Sequence, residues 1–409
     1  MTIQTNALLE DLILKIPKTD LHCHLDGSIR LETIIDLARK EKIFMPSDSV
    51  AGLNTLLFKD HYNNLVEYLK TFEYSCQVMQ TPENLERIAY ELGQDVQKEG
   101  VRYLEVRFAP QLHINHLMNM EQVLVSVDKG LERAKKEFNA KPEIINKKEP
   151  SFNYGIIVCA LRSFGPLSEY YKNFIDSLPF SDPKTVFSLC SLELAKGAVQ
   201  IRDKLGLPIV AFDLAGAEKG NPAKDHWQAF QYAHANFMAK TVHAGEAYGA
   251  PSIFQAITEL HAERLGHGYY LYDENKITDP SITNKKAYIE NLSQHIADRR
   301  ISIEVCLTSN MQTNPTIGEV KNHAFKEMLK HRLSTTFCTD NRTVSKTTVT
   351  REIMLAIDNF ELTPHNLKNL IIYGFKRSFY PDSYLEKRKY VRQCIDYYDQ
   401  LVKGTELEA

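Results

Sequence analysis

Hydrophobic and polar residues recur along this chain with two different periods, which predict short strands separated by longer helices. Eight short segments are rich in apolar residues, and several are almost continuously apolar, as is typical of parallel strands buried on both faces. They cover residues 18–25, 101–110, 152–162, 208–216, 239–246, 263–268, 302–310 and 333–341. About eight strands that alternate with helices predict an α/β fold, a (β/α)8 barrel of the TIM type. A doubly wound open sheet is the alternative, but no G-x-G-x-x-G motif follows the first strand.

The segments between these strands carry helical periodicity and signals for helix ends. In residues 81–100, Thr81 and Glu83 suit the beginning of a helix and Gly100 suits its end. The N-terminal segment has Glu10 and Asp11 inside its apolar stretch and no small-residue cleavage site. This pattern favours an amphipathic helix over a signal peptide.

Two segments are additional to the repeating pattern of strands and helices. Residues 31–75 are too long for one crossover, so we expect extra helices over the C-terminal face of the barrel. Residues 135–150 are basic, weakly periodic and proline-bearing, which predicts a solvated loop. Because no linker divides the chain, we expect one domain over residues 1–409, with its core at about 15–380.

Composition narrows the class of protein without identifying it. Of 409 residues, 43% are hydrophobic and 25% are charged, which is the balance of a globular protein with a sizeable core. The net charge of -3 gives no electrostatic reason to expect nucleic acid or an anionic membrane as a partner. No apolar run approaches the roughly 20 residues of a membrane span. Seven scattered cysteines without a C-x-x-C pair indicate a reduced, cytoplasmic protein.

Polar side chains suited to metal binding and acid–base chemistry stand where several of the predicted strands end. They are His22, His24 and Asp26 in the first strand, Asp213 and Gly216 in the fourth, His243 and Glu246 in the fifth, His267 in the sixth, and Asp340 and Asn341 in the eighth. The C-terminal ends of all strands of a barrel meet at one face, where the active sites of this fold lie. The sequence therefore predicts one active site built from five strand ends.

Each of these residues has an ordinary structural explanation when it is considered alone. A single histidine near a strand end, such as His267, is usually a hydrogen-bonded structural residue. The spacing of His22 and His24 puts both rings on one side of a strand, and a Thr-Asp pair is most often a helix cap. The joint occurrence at five strand ends is what favours a functional site. The other histidines lack this context, and we interpret nearly all of them as structural or surface groups.

Three imidazoles and one carboxylate form a good ligand set for Zn²⁺, which keeps a position open for water in catalytic sites. Three different strands supply such a set, namely His22, His24, His243 and Asp340. Zinc lowers the pKa of its bound water toward neutrality. Glu246, three residues after His243, can hand protons to a substrate, and His267 can orient or deprotonate the water.

Seven motifs resemble the adenosine deaminase family in their order and spacing: TDLHCHLDGS, LEVRFAP, DLAG, TVHAGE, RLGHG, EVCLTSN and CTDN. No single motif is decisive, but the ordered set, from about Lys18 to beyond Arg351, is highly specific. The resemblance implies a barrel with one zinc ion per chain that hydrolyses the 6-amino group of adenosine to give inosine and ammonia. It also implies a role in purine metabolism and a small-molecule purine nucleoside as the partner.

Catalytic roles are carried over residue by residue from this resemblance. The implied zinc ligands are His22, His24, His243 and Asp340. Glu246 would protonate the purine N1, so that C6 becomes electrophilic. His267 would act on the attacking water, and Asp340 would help to steer the hydroxide.

Substrate contacts follow from the same resemblance. Asp26 would bind the ribose, the backbone of Gly216 would bind the purine ring, and His24 would also face the substrate. Asn341 stands where many members have a second Asp. Because its amide donates at every pH, we expect it to donate to N7 of the purine, whereas turn formation is its ordinary structural explanation. Leu307 stands where the family often has Pro, which changes loop stiffness.

The preferred substrate within the family is inferred from Asp26. A carboxylate at the 5′ end of the ribose can hydrogen-bond a hydroxyl but would repel a 5′-phosphate. Relatives that prefer the free base or an extended nucleoside tend to carry Glu in this motif. We therefore expect adenosine or 2′-deoxyadenosine, and the alternative is another 6-aminopurine, such as adenine or a modified adenosine derivative.

Two other functions stay open at this point. An amidohydrolase with two metals would use a carboxylated bridging lysine, for which Lys219 is the candidate, although Lys219 lies past the end of the fourth strand. A non-catalytic purine-binding barrel would have lost turnover while keeping the four ligands, Glu246 and His267. The sequence leaves the oligomeric state open.

Overall fold

Eight parallel strands form a barrel in the computed structural model, which describes residues 2–3, 5–62 and 65–408. Each strand pairs with the next one along the chain. The strands are β1 Lys18–His24, β2 Val101–Phe108, β3 Asn153–Leu161, β4 Ile209–Ala215, β5 Ala239–Ala244, β6 Arg264–His267, β7 Ser302–Val305 and β8 Ser334–Phe337. The backbone N–H of His24 donates to the main-chain carbonyl of Asp340 at 2.7 Å. The backbone N–H of Asp340 donates to the main-chain carbonyl of His22 at 2.8 Å. Because these bonds join the two ends of the sheet, the predicted barrel is confirmed over the open sheet.

Helices connect successive strands around the outside of the barrel. They are α1 Ala7–Lys15, α2 Leu31–Glu41, α3 Val50–Leu56, α4 Leu65–Leu69, α5 Thr71–Gln77, α6 Pro82–Lys98, α7 Met120–Asn139, α8 Pro142–Ile145, α9 Glu169–Asp176, α10 Pro183–Leu205, α11 Trp227–Ala235, α12 Ala250–Thr258, α13 Lys285–Arg299, α14 Leu307–Thr313, α15 Phe325–Lys330, α16 Val349–Asn359, α17 Pro364–Arg377 and α18 Tyr384–Val402. Short 3₁₀ helices lie at Pro110–Leu112, Ala223–His226, Glu274–Lys276, Pro315–Ile317 and Val320–Asn322. Among the described helices, none is both long and apolar enough to cross a membrane.

Helix-end signals in the sequence act as expected. The hydroxyl of Thr81 accepts a hydrogen bond from the backbone N–H of Asn84 at 3.2 Å and begins α6. Gly100 follows the end of α6 with φ +82°, a conformation that L side chains rarely adopt. The first helix is amphipathic, because Leu9 and Ile13 are buried on one of its faces. Both predictions are confirmed.

Extra helices α2 to α5 occupy residues 31–77, as predicted for the segment after the first strand. Residues 63 and 64 of this segment lie outside the described residues. The hydroxyl of Tyr68, on α4, lies 2.9 Å from the hydroxyl of Ser345, which follows the eighth strand. The added helices therefore cover the C-terminal face of the barrel.

The seventh and eighth strands differ most from the predicted segments, and both end well before the predicted residue. The segment 302–310 was expected to be one strand, but β7 ends at Val305 and a helix, α14, begins at Leu307. The buried carboxylate of Glu352 accepts a hydrogen bond from the backbone N–H of Thr308 at 3.1 Å, which stabilises the N-terminal end of this helix. The eighth strand ends at Phe337, before the predicted site residues.

The prediction of a solvated loop over residues 135–150 is wrong. Helix α7 continues to Asn139, and Pro142–Ile145 forms α8. Ala134 and Phe138 are buried four residues apart on α7, so they form an apolar stripe on its inner side. Two of the lysines that suggested a loop lie on this helix, where Lys135 is half-buried and Lys136 is exposed.

Buried charges fill the barrel interior below the C-terminal face. We call this group the inner charge layer; it comprises Arg107, Arg264, Glu105, Glu304 and Asp213, all almost fully buried. Arg107 donates to Asp213 and to Glu304, both at 2.9 Å. Arg264 donates to Glu304 at 2.7 Å and also pairs with Glu105. Such ions are tolerated inside a protein only when they are paired.

Candidate active site

Four side chains meet at the C-terminal ends of the strands, and we call them the mouth cluster. They are His22, His243, His267 and Asp340, each of which offers a potential ligand atom within 4.8 Å of the others. The predicted ligand His24 lies beside this cluster. Its Nε2 is 3.2 Å from Nε2 of His243 and 3.4 Å from Oδ1 of Asp340. The structure thus brings the four predicted ligands together and adds His267 to them.

Two carboxylates of the inner charge layer orient the imidazoles. Nδ1 of His22 lies 2.8 Å from Oε2 of Glu304, and Nδ1 of His243 lies 3.1 Å from Oδ2 of Asp213. A carboxylate accepts, so each ring donates from Nδ1 and keeps the lone pair on Nε2. Nε2 of His22 has no hydrogen-bond partner in the described part of the chain.

The donor set fits a metal ion. The lone pair on Nε2 of His22 faces Oδ1 of Asp340 at 3.4 Å, an arrangement of two acceptors that a cation between them would stabilise. Burial lowers the pKa of His24 well below its ordinary value, so that imidazole is neutral, the form that binds metals.

Asp340 is positioned by the turn after β8 and not by the strand itself. Its backbone has a left-handed conformation with φ +57°, as does that of His267 with φ +66°. The hydroxyl of Ser309, in the first turn of α14, donates to Oδ2 of Asp340 at 2.6 Å. Only the other oxygen, Oδ1, faces His22 and His24.

Glu246 lies at the edge of the mouth cluster, with Oε1 3.4 Å from Nε2 of His267. Burial, followed by the nearby charges of Asp340 and Glu218, raises the pKa of Glu246 to about 8. This carboxyl is therefore suited to carry a proton at neutral pH. The geometry makes Glu246 a candidate acid within reach of the cluster.

The loop that carries Glu246 is held by another carboxylate, Glu218, which is not among the predicted site residues. Glu218 is buried and accepts hydrogen bonds from four consecutive backbone N–H groups, those of residues 245–248, at 2.7 to 3.1 Å. It also accepts from the hydroxyl of Ser252 at 2.6 Å. The only signal in the sequence was an acidic residue shortly after the DLAG motif.

Asp26 lies next to the cluster, 3.9 Å from Nδ1 of His24. Burial raises its pKa to about 7, and its Oδ1 has no hydrogen-bond partner among the described residues. The half-buried thiol of Cys76, on α5, lies 4.0 Å from its Oδ2. Gly216, directly after β4, has φ +93°. These two residues lie at the same face as the mouth cluster.

Asn341 is buried beside Asp340, and its amide nitrogen donates to the hydroxyl of Tyr68 at 2.7 Å. Its Oδ1 packs against Gly27, where a Cβ atom would collide with it. One of the two amide N–H bonds is thus used within the protein, and donation to a purine by the other stays a prediction.

Lys219, the candidate for a bridging ligand between two metals, is exposed and is not part of the mouth cluster.

Comparisons with known proteins identify relatives of this chain. The family model described as "Adenosine deaminase" matches residues 17–166 and 184–397. An adenosine deaminase of Vibrio atlanticus is 36% identical over 369 residues, which cover 90% of this chain and 95% of the relative.

Solved structures show the same fold at low sequence identity. Adenine deaminase from Arthrobacter aurescens is 20% identical with a TM-score of 0.71, and the match covers 93% of this chain and 99% of that one. An amidohydrolase from Burkholderia ambifaria, solved with bound Zn, is 19% identical with a TM-score of 0.76, over 98% and 95% of the two chains.

Proposed function

The chain belongs to the adenosine deaminase family, and on this premise we propose that it converts adenosine and 2′-deoxyadenosine to inosine and 2′-deoxyinosine with release of ammonia. The observation that carries the proposal is the mouth cluster, in which imidazole nitrogens and a carboxylate oxygen converge at the C-terminal face. The reaction belongs to purine salvage. The expected compartment is the cytoplasm, on the evidence of the scattered cysteines.

The proposed cofactor is one zinc ion per chain. The residues that would hold it are His22, His24, His243 and Asp340. Zinc bound there supplies a water of lowered pKa, and therefore hydroxide, near neutral pH. In support, Glu304 and Asp213 fix the tautomers of His22 and His243 with Nε2 free to bind a metal.

Glu246 is proposed to protonate N1 of the purine. Its pKa of about 8 leaves the carboxyl protonated at neutral pH, so it has a proton to give. Protonation of N1 withdraws electrons from C6 and makes this carbon open to attack by water. His267 is proposed to act on that water, and the carboxylate of Asp340 to help steer it.

Substrate recognition is proposed for four residues around the cluster. Asp26 binds the ribose, the backbone of Gly216 binds the purine ring, His24 faces the substrate, and Asn341 donates to N7. The free oxygen of Asp26 is a suitable acceptor for a ribose hydroxyl, and the ionised form of this carboxyl would repel a 5′-phosphate. Adenine or a modified adenosine derivative is the alternative substrate.

A panel of purines tests the proposed activity. Zinc-loaded protein is incubated with adenosine, 2′-deoxyadenosine, adenine or AMP, and the absorbance change that accompanies loss of the 6-amino group is followed. We expect turnover of the two nucleosides and much less of adenine and AMP. Turnover of adenine alone would favour the alternative substrate. Tight binding of adenosine without turnover would indicate a non-catalytic purine-binding barrel.

Replacing Asp26 with Ala tests the assignment of the ribose site. Loss of a hydrogen bond to a charged group costs about 1.5–3 kcal/mol, so KM for adenosine should rise roughly 10-fold or more. Any slow reaction with adenine should change little, because the free base has no ribose. Equal losses on both substrates would mean that Asp26 acts on the metal site instead.

A further inference from the structure

His267 is the one member of the mouth cluster whose role the proposed function leaves open between orienting water and deprotonating it. We propose that Asn310 and His323 are positioning residues that hold the ring of His267 with its proton on Nε2, directed toward the site. This inference rests on the proposed function for its chemical meaning. The hydrogen-bond arrangement itself does not depend on that function.

The direction of the hydrogen-bond chain is set by a main-chain group that can only donate. The backbone N–H of Phe325 donates to Nδ1 of His323 at 3.1 Å, so this nitrogen carries a lone pair. Burial lowers the pKa of His323 to about 4, so the ring is neutral. A neutral ring with a lone pair on Nδ1 has its proton on Nε2. Nε2 of His323 lies 3.1 Å from Oδ1 of Asn310 and donates to it.

The amide of Asn310 determines which ring nitrogen of His267 accepts a hydrogen bond. With Oδ1 accepting from His323, the amide nitrogen is left to face His267, and it donates to Nδ1 at 3.0 Å. Nδ1 of His267 is therefore an acceptor, and the proton of the neutral ring must be on Nε2. That nitrogen lies 3.4 Å from Oε1 of Glu246.

Local structure keeps this chain of contacts in place. Asn310 and His323 are almost fully buried, so neither exchanges its partners easily with water. Asn310 follows Ser309 in the first turn of α14, and the two side chains reach different members of the mouth cluster: Ser309 donates to Asp340 and Asn310 donates to His267. One helical turn thus positions two groups of the site at once.

The tautomer decides what His267 can do in its resting state. With a proton on Nε2, the ring offers a hydrogen-bond donor to an oxygen atom in the site and has no lone pair there to accept a proton. Of the two roles left open, the geometry therefore favours orientation of the attacking water over its deprotonation by His267. No proton leaves or enters the ring in this arrangement.

Nitrogen-15 NMR of the zinc-loaded protein, labelled in histidine, measures the tautomer directly. Long-range ¹H–¹⁵N correlations separate the protonated from the unprotonated ring nitrogen, and the spectrum of His267→Gln identifies the signals of His267. We expect Nε2 to be protonated and Nδ1 to be unprotonated. A proton on Nδ1 of His267 in the unmutated protein would overturn the proposal, whatever the variants do.

Asn310→Asp reverses the hydrogen bond between residue 310 and His267. A carboxylate at this position accepts from Nδ1 of His267, so the proton should move to Nδ1, and kcat should fall about 10- to 100-fold with KM little changed. Asn322→Asp is the control: Asn322 is exposed and its amide donates to the carbonyl of Ile317 at 3.1 Å, so neither the tautomer nor kcat should change.

An unchanged tautomer in folded Asn310→Asp would contradict the proposal. The NMR result is also independent of the proposed activity. If the protein deaminates none of the purines tested but His267 carries its proton on Nε2, the proposed function fails while the positioning roles of Asn310 and His323 stand.

Discussion

The inner charge layer and the mouth cluster occupy neighbouring levels of the same barrel, yet their charges are balanced differently. In the inner layer, each arginine donates to two carboxylates. In the mouth cluster, the lone pair of His22 faces an oxygen of Asp340, and Nε2 of His243 lies 3.2 Å from Nε2 of His24 beside the cluster. Each ion of the inner layer is paired with another side chain of the protein, whereas the mouth cluster holds facing acceptor atoms that a cation would pair.

The inner charge layer and the mouth cluster share hydrogen bonds, which gives the buried charges of the barrel a role in holding the site. Glu304 accepts from Arg107 and from His22, and Asp213 accepts from Arg107 and from His243. Arg107 therefore holds both carboxylates that orient the imidazoles. The paired layer acts as a rigid support for the unpaired one.

Glu246→Gln removes the proposed proton donor but leaves the ligands of the mouth cluster and the ion pairs of the inner charge layer in place. Of the substitutions considered, it should lower kcat the most. Gln cannot give a proton to N1, so we expect kcat to fall about 10²- to 10⁴-fold, the usual contribution of a general acid. Zinc content and the midpoint of thermal unfolding should stay unchanged, since Glu246 is not a proposed ligand. Substantial activity in this variant would rule out the assigned role.

Arg264→Met breaks the inner charge layer without touching the mouth cluster directly. It leaves Glu105 and part of Glu304 unpaired in the interior, which typically costs about 3–5 kcal/mol of the free energy of unfolding. Chemical denaturation measures this loss. Arg133→Met is the matched control, because Arg133 forms an exposed pair with Glu137 at 3.1 Å, and it should leave stability unchanged. Equal stability of the two variants would show that the inner layer is not a support.

Asp340→Ala tests the mouth cluster as a metal centre. Removing the carboxylate takes away a proposed ligand, so the purified variant should contain less zinc than the unmutated protein. Metal analysis after dialysis measures the difference, with Asp279→Ala as a control on an exposed loop. A full equivalent of tightly held zinc in Asp340→Ala would mean that the ligand set is wrong.

The pH profile gives a smaller and more graded test of Glu246. Its pKa is raised to about 8, so the protonated, active form predominates below that value and is lost above it. We expect kcat/KM to fall about tenfold per pH unit on the alkaline side. A bound cation favours the charged carboxylate and moves the limb to lower pH. A profile still flat one unit above pH 8 would contradict this assignment.

The barrel and the place of its site could be predicted because both depend on patterns that repeat along the chain. Eight apolar segments predicted the strands, and polar residues at their ends predicted where the imidazoles would meet. The prediction of one strand over residues 302–310 was wrong in its second half, since a short apolar run does not distinguish a strand from a buried helix. Ser309 and Asn310 lie in that half, so their contacts with Asp340 and His267 could not be foreseen.

Other parts of the site depend on contacts between distant residues that no local pattern reveals. Glu218 is separated by 27 residues from the first N–H group that it accepts from, and neither periodicity nor a motif connects the two. Glu105 and Arg107 are two charges within the apolar segment 101–110. Their partners Arg264 and Glu304, however, come from later strands and became visible only once the barrel closed.

The left-handed backbone of His267 and Asp340 bears on how such a site can change during evolution. This conformation costs roughly 1–2 kcal/mol for most residues but little for Gly and Asn. Selection for a stable fold alone would therefore replace both residues, and their side chains persist only while the chemistry is under selection. A lineage that lost the activity would be expected to drift first at these two positions and to become more stable as it did so.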